Sequence, residues 1–598
     1  MRNATSVRHA RRSRAGRLAG VALLALATVA AGFAPAQAQT QPKPNWLPTP
    51  DPAIYGYSQP AAASITMSDG AVLTAQVVYP TNAVTGVRAP GTFPVLLTQN
   101  PYGTTLSNPT TDGDYYVDRG YIYVAVSVRG SGTSGGQLDW IGTQQGKDGA
   151  ALVNWAAHSL SGSNGNVGLD GCSYLGVDQW YTAAAVGPNS PLKAIAPFCT
   201  DSDMYEDIAT VGGVPSAFIP DLAQVLPRGP QDNAQTDPLS TTVSDLTTGG
   251  ARSYNNDYWN AIDQQQIMPQ IVANGIPALS EAGWNDLFPG GAIGDYTAAQ
   301  NAYFGRPVTA PVTPGESVTG RYQAIIGPWT HAENVNGDVL NEIKEDWFDT
   351  WLKGSPTGMA NTSTPLHIFE NNATRWVDTA AWPPSPATST YYLGNNGSLT
   401  ASPPTTAGVD NLYYSYPWFP LSYTTAPLSQ TTVLDGPIDV SLNLSSTTAD
   451  AFVAATVNLI APTGAVTKLG DGALLASQRS LDTQQSWYGT GNTLIKPAHP
   501  YTQASQSLLT PNQSVKMDIS VLPNFTVIPA GYYLQVQLSS QAPSNFHLPL
   551  TPTPPQTSHL NGGTFTVSHG PATASSITLP FASPNAFTTS PVNWGPSS

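Results

Sequence analysis

Gly168-Leu169-Asp170-Gly171-Cys172-Ser173-Tyr174-Leu175-Gly176 is the stretch on which the fold turns. Val167 to Cys172 reads as a buried strand, Leu175 to Ala185 has helical spacing, and the serine stands between them. Small residues flank it, as a backbone bending tightly from strand into helix requires. Such a turn lifts a serine Oγ above the C-terminal edge of a sheet, the arrangement of a nucleophile elbow. The usual G-x-S-x-G is stretched here, with Gly176 supplying the last glycine. A Gly-x-Ser also arises by chance in a chain rich in both residues, so a structural serine is the competing reading of the motif alone.

Strand and helix signals alternate on both sides of the elbow. Ile65 to Tyr79 alternates around Ser68-Asp69-Gly70, a hairpin signal. Phe93–Thr98 runs into Asn100-Pro101-Tyr102-Gly103, and Tyr121–Val128 into Arg129-Gly130-Ser131-Gly132. Lys147–His158 is helical. Leu192–Phe198, Ile276–Ala282 and Tyr322–Ile326 are further strands, and Asp338–Leu352 is amphipathic. This alternation from about residue 90 to 355 predicts an α/β fold with a mostly parallel sheet and helices on both faces. Residues 201–265 carry no strand run and read as an insertion over one end of the sheet; Trp259 to Val272 leads back as a helix. After Gly354 the texture changes. Thr, Ser and Pro dominate 365–598, with short alternating runs at Leu366–Phe369, Thr390–Leu393, Ile438–Leu444, Ala454–Ile460, Val515–Val521 and Tyr532–Leu538. These predict an all-β sandwich or jelly roll.

Composition narrows the function. The 598 residues contain 40% hydrophobic and only 10% charged positions, so polarity rests on Ser, Thr, Asn and Gln. The formal net charge is −15; residues 1–38 contribute six arginines and no acid, and removing them leaves −21. A body so acidic is repelled by phosphate backbones, which argues against a nucleic-acid partner. The N-terminus has the form of a signal peptide over 1–38. A basic stretch to Arg17 precedes an apolar run from Leu18 to Phe33, and Ala36-Gln37-Ala38 is an A-x-A cleavage site. A secreted or periplasmic protein is expected, with no membrane association after cleavage. Two cysteines are too few for a zinc ribbon or a disulfide scaffold.

A serine nucleophile needs a base. Of eight histidines, His331 in Gly327-Pro328-Trp329-Thr330-His331 follows a sheet strand and should emerge at the same edge as Ser173. His158 fits a surface helix, and His367, His499, His547, His559 and His569 fall in the β region. The base needs a carboxylate to orient it. Asp286 in Gly283-Trp284-Asn285-Asp286 completes the order Ser…Asp…His of α/β-hydrolases. Asp148 and Asp170 are rivals that fit helix or loop roles better. For an oxyanion, the Tyr174 backbone N–H is one donor. Tyr102 is a second, or else a turn tyrosine packing on the surface.

These motifs together resemble a known family. Tyr102-Gly103, Arg129-Gly130-x-Gly132, Gly171-x-Ser173-Tyr174-x-Gly176, Gly283-Trp284-x-Asp286 and Gly327-Pro328-Trp329-x-His331 occur in the order of the cocaine-esterase-like and Xaa-Pro dipeptidyl-peptidase superfamily of serine hydrolases. Leu192–Pro197, Trp347–Gly354 and Leu434–Val440 also match. The resemblance implies an α/β-hydrolase domain over 39–200 and 266–360, a helical cap over 201–265, and a C-terminal jelly-roll β-sandwich over 361–598. It implies Ser173, Asp286 and His331 as catalytic residues, and Tyr102 and Tyr174 at the oxyanion hole. The family usually has Asp two residues before the Arg-Gly pair; here Ser127 stands there, which bears on loop geometry rather than on the triad.

The expected function is a secreted serine hydrolase cleaving acyl esters, with amides as a second substrate class, through an acyl-enzyme, with no metal or organic cofactor. The substrate is a small-molecule ester or a short peptide. A dipeptidyl-peptidase releasing Xaa-Pro, or an α-amino-ester hydrolase, needs an anionic site for an α-ammonium. The 201–265 region offers Asp201, Asp203, Glu206, Asp207, Asp221, Asp232, Asp237, Asp245, Asp257 and Asp263 against Arg228 and Arg252, although the whole protein is acidic. A reading of another class is a carbohydrate- or surface-binding β-domain beside an inactive hydrolase domain. Finally, Cys172 and Cys199 end consecutive strands, which in a parallel sheet are usually neighbours ~4.8 Å apart. That spacing suits a disulfide, and two free buried thiols are the alternative.

Overall fold

The computed structural model describes residues 46–103, 113–331 and 338–590. The signal-peptide segment 1–38 lies outside the described residues. The first sheet has 11 strands. Ten are β1 (Ala61–Thr66), β2 (Val72–Val78), β3 (Phe93–Asn100), β4 (Ile122–Ser127), β5 (Ser163–Cys172), β6 (Leu192–Phe198), β7 (Ala278–Asn285), β8 (Tyr322–Thr330), β9 (Leu366–Glu370) and β10 (Arg375–Thr379). Their spatial order is β1-β2-β4-β3-β5-β6-β7-β8-β9-β10, and the short strand Thr589–Ser590 closes the far edge. From β4 to β9 every pairing is parallel; β1, β2 and β10 run antiparallel to their neighbours.

Side chains alternate across these strands, so both faces must be covered. Val95 and Leu97 of β3 and Ile195 of β6 meet α1 (Thr143–His158), α2 (Tyr174–Ala185), α5 (Gln264–Asn274) and α6 (Gly291–Tyr303). Leu96, Ala194 and Ala196 turn the other way, onto α7 (Asp338–Phe348), where Ile343, Trp347 and Phe348 are buried as their helical spacing predicts.

The insertion holds α3 (Phe218–Val225), α4 (Pro238–Thr248) and shorter turns. It also contains a minimal hairpin, Thr210–Val211 with Val214–Pro215, that the sequence pattern does not predict. The helix expected over Trp259 to Val272 is two helices, Asp257–Asn260 and α5. The break falls at Asp263, whose carboxylate caps α5 by accepting from Gln265 N–H at 2.8 Å.

The C-terminal region forms a second sheet of 11 strands, in which the long strands Thr432–Ser446 and Val515–Ile528 pair antiparallel. One strand expected in the C-terminal region lies elsewhere. Leu366–Phe369 belongs to β9 of the first sheet, parallel to β8, and all of β9 is buried. His367 is therefore a sheet-core residue, held by Asp378 of β10 at 2.7 Å. A five-residue strand carries no mark of which sheet will take it; the decision is made by β8, whose open edge needs a partner.

The insertion is fastened to the C-terminal region through backbone bonds. Leu475 N–H donates to Gly212 O, Ala217 N–H to Pro549 O and Thr551 N–H to Pro215 O, each at 2.8 Å. Met204, Tyr205 and Ile208 share one apolar core with Leu442, Leu474 and Val536 and with Tyr174 of α2.

Candidate active site

Ser173 joins β5 to α2 with φ 62° and ψ −131°, a left-handed conformation strained for a residue with a Cβ. Two glycines make the turn possible. A Cβ on Gly171 would lie 2.5 Å from Leu175 Cβ, and one on Gly176 would lie 2.4 Å from Phe198 O. Ser173 N–H donates to Phe198 O at 2.9 Å, which ties the elbow to the end of β6. Ser173 occupies the N-cap position of α2, yet its side chain makes no capping bond. Ser173, Tyr174 and Tyr102 line one pocket, with the Tyr102 and Tyr174 ring centroids 6.3 Å apart.

Tyr102 is placed by a closed turn after β3. Its N–H donates to Asn100 Oδ1 at 2.8 Å, and Asn100 Nδ2 donates to Gly103 O at 2.9 Å. Burial holds the phenol above its ordinary pKa, so it remains a donor at neutral pH. The turn-tyrosine alternative, a ring packed on the surface, does not fit this placement.

His331 follows β8, and its Nδ1 lies 2.8 Å from Asp286 Oδ1. The Asp286 side chain is fully buried. Its Oδ1 also accepts from Leu287 N–H and from Phe288 N–H at 3.3 Å, so the turn after β7 fixes the carboxylate before the imidazole arrives. Register brings these turns to one edge: Cys172 of β5 pairs with Phe198 of β6, and Gly283 of β7 with Gly327 of β8. The rival acids are committed elsewhere. Asp148 pairs with Arg129 at 2.7 Å, and Asp170 with Lys344 at 2.7 Å. His158 is exposed at the end of α1.

Ser127 leaves its loop well organised. Arg129 bridges Asp69 and Asp148, both at 2.7 Å, and Ser134 Oγ donates to Ser127 O at 2.7 Å. Cys172 and Cys199 form a disulfide with Cα atoms 5.1 Å apart. The Cys199 sulfur, an Asp286 oxygen and a His331 nitrogen lie within 4.8 Å of one another. Because that sulfur is bonded to Cys172, it offers no thiolate to a metal.

Two cavities meet here. A narrow pocket over Ser173 is lined by Tyr102, Trp140, Ile141, Tyr174, Val177, Ile208, Phe218, Leu222 and Phe288. A larger chamber lies between the insertion, the β7 turn and the C-terminal region. Asp203, Glu206, Asp207 and Asp263 face it on one side, Lys496, Asp471 and His547 on the other, and Phe288 lines both spaces. Burial and mutual repulsion raise Asp203 to about 6 and hold Glu206 and Asp263 above the ordinary carboxylate range. Several acids of the insertion have local duties as well. Asp203 accepts from Tyr205 and Glu206 N–H, Asp237 caps α4, and Asp232 and Asp237 hold Arg228.

Sequence reasoning missed the pocket walls. Trp140, Phe218 and Phe288 come from loops and the insertion, where no periodicity marks a residue as lining. Proximity to Asp286 was the only available signal for Phe288.

Comparison with known proteins agrees with this architecture. Residues 69–333 match the family model for X-Pro dipeptidyl-peptidase (S15 family), and 358–578 match that for the X-Pro dipeptidyl-peptidase C-terminal non-catalytic domain. A relative from Mycobacterium bovis, named a serine esterase, is 23% identical over 84% of this chain and 94% of its own. Cocaine esterase of a Rhodococcus species is 24% identical over 58% of this chain and 64% of its own. The crystal structure of a CocE/NonD family hydrolase from Staphylococcus aureus superposes with a TM-score of 0.70 at 20% identity, covering 87% of this chain and 93% of that one. An α-amino acid ester hydrolase gives 0.67 at 19%, covering 92% and 100%. At these identities the structures speak for the fold alone. The chain belongs to the cocaine-esterase-like and Xaa-Pro dipeptidyl-peptidase superfamily and is a serine hydrolase.

Proposed function

We propose that this protein is an exported esterase in which Ser173 attacks the acyl carbon, His331 takes the serine proton and Asp286 orients the imidazole and steadies its charge. The Tyr102 hydroxyl and the Tyr174 N–H hydrogen-bond the oxyanion. Collapse of the tetrahedral intermediate expels the alcohol, protonated by His331. Water then enters, His331 removes its proton, and the acid leaves. The observation that carries this reading is the imidazole–carboxylate pair at 2.8 Å at the sheet edge where Ser173, Tyr174 and Tyr102 line one apolar pocket.

The apolar pocket over Ser173 supports a small or medium uncharged acyl group. The insertion acts as a cap over that pocket through Ile208, Phe218 and Leu222. The C-terminal region, read as a jelly roll, braces the cap from behind. Export rests on the signal-peptide form of 1–38 and accords with a disulfide, which persists in oxidising compartments. The second reading, a dipeptidyl-peptidase or α-amino-ester hydrolase, is favoured by the carboxylates of the chamber behind Phe288.

The test is a panel of p-nitrophenyl butyrate, phenylglycine methyl ester and Gly-Pro-p-nitroanilide under equal conditions. The ester reading predicts the highest kcat/KM on the butyrate. A Gly-Pro-p-nitroanilide value ~10-fold above it would install the second reading.

A further inference from the structure

Cys199 occupies an unusual position for a strand-end residue. It is fully buried and sits at φ 54°, one of the few left-handed residues other than glycine. Three links radiate from it. Its sulfur is bonded to Cys172, the residue before Ser173. Its N–H donates at 2.9 Å to Glu281 O on β7, the strand whose end delivers Asp286. The same sulfur lies within 4.8 Å of both the Asp286 carboxylate and the His331 ring. The preceding carbonyl, Phe198 O, accepts from Ser173 N–H at 2.9 Å. One dipeptide, Phe198-Cys199, thus binds the nucleophile turn and the acid-bearing strand and lies beside the base.

We propose that the Cys172–Cys199 disulfide is a positioning element of the catalytic centre: it locks the Ser173 turn to the Asp286–His331 pair and keeps an aprotic sulfur against that pair. The inference rests on the reading of these three residues as the triad. In the disulfide neither sulfur carries a proton. A free thiol at Cys199 would place a weak S–H donor beside the Asp286 carboxylate, in competition with the His331 N–H. Among the described residues, His331 from the β8 turn pairs with that carboxylate, and Glu281 of β7, with Lys344 of α7 close to Glu281, bears on it electrostatically. Weakened pairing with Asp286 leaves the imidazolium that forms during the reaction less stabilised, because a neighbouring anion favours that charge. The freed Cys199 can also leave its strained conformation, letting the Ser173 turn drift from its productive geometry.

The experiment compares oxidised protein, the Cys172→Ala/Cys199→Ala variant, and native protein reduced in place. A dithiol gives up two electrons and two protons, leaves two cysteine thiols, and closes to its own cyclic disulfide. Cys172 is half-buried, which gives the dithiol a path. The readouts are kcat and KM on an ester, the acid limb of kcat/KM, circular dichroism, and fluorophosphonate labelling of Ser173. The proposal predicts a folded reduced protein, kcat down roughly 10-fold or more, KM within about twofold, and, in the reduced protein, the acid limb moved to lower pH. An unchanged kcat and acid limb with only a lower Tm overturns it, as does loss of fold together with activity, since the bridge is then a staple. Failure of the oxidised protein to label at Ser173 overturns the triad reading as well, which distinguishes the two failures.

Discussion

The pocket over Ser173 and the chamber on the other side of Phe288 are lined by different chemistry. The first is walled by aromatic and aliphatic side chains, with the Tyr102 and Ser173 hydroxyls at its floor. The second is walled by carboxylates of the insertion facing Lys496 and His547 of the C-terminal region. The dry pocket suits an acyl group and strengthens every hydrogen bond made to an oxyanion there. The charged chamber suits a polar or cationic portion of a substrate, or water. Phe288 separates them, with its ring 5.9 Å from both the His331 and the Phe218 rings. On the proposed reading, the reaction is set at strand ends of one sheet and selectivity where three chain segments meet.

The largest effect comes from removing the C-terminal wall. A chain ending at Gly354 loses β9 and β10, baring the β8 edge, and strips the insertion of its partners Pro549, Thr551 and Leu475. It should be insoluble or inactive; a soluble, fully active product would show that the pocket stands without the chamber. Tyr102→Phe leaves both cavities in place and removes one oxyanion donor. A fall of ~10²-fold in kcat is expected in pre-steady-state acylation, and an unchanged rate would return Tyr102 to a packing role. Phe288→Ala joins the two spaces. Activity on acetate esters should drop several-fold while bulkier acyl groups gain relative to acetate; an unchanged acyl-length profile would mean that Phe288 is no divider.

The smallest effect concerns Asp201, buried behind the chamber, where Gln264 Nε2 donates to it at 2.8 Å and burial lifts its pKa to about 8. A carboxyl raised in the folded state keeps a proton that the unfolded chain releases near pH 4. Its contribution is therefore most favourable at low pH and is lost as pH rises toward 8. Asp201→Asn mimics the protonated form and should raise Tm at pH 8.5 more than at pH 5.5, by about 1–2 °C. An equal shift at both values would deny that Asp201 keeps its proton.

The contrast between the cavities also explains what the sequence disclosed. The elbow, the turns carrying Asp286 and His331, and the helices α1, α2 and α7 were legible because each is a local pattern: a period, a glycine pair, a residue at a strand end. Neighbouring strand ends also anticipated the proximity of Cys172 and Cys199. The chamber was visible only as an excess of acids, since its form depends on Asp263 and Lys496, far apart in the chain. The same limit misplaced Leu366–Phe369, a four-residue run that fits either sheet until β8 supplies an edge.

The central claim is that Ser173 is the nucleophile of this hydrolase. A fluorophosphonate probe reacts with an activated serine by losing fluoride, and peptide mass spectrometry locates the adduct. The account predicts one adduct per chain, on the peptide containing Ser173, abolished in Ser173→Ala while circular dichroism is unchanged. An adduct on any other residue, or a Ser173→Ala protein retaining more than ~1% of wild-type esterase activity, would contradict it.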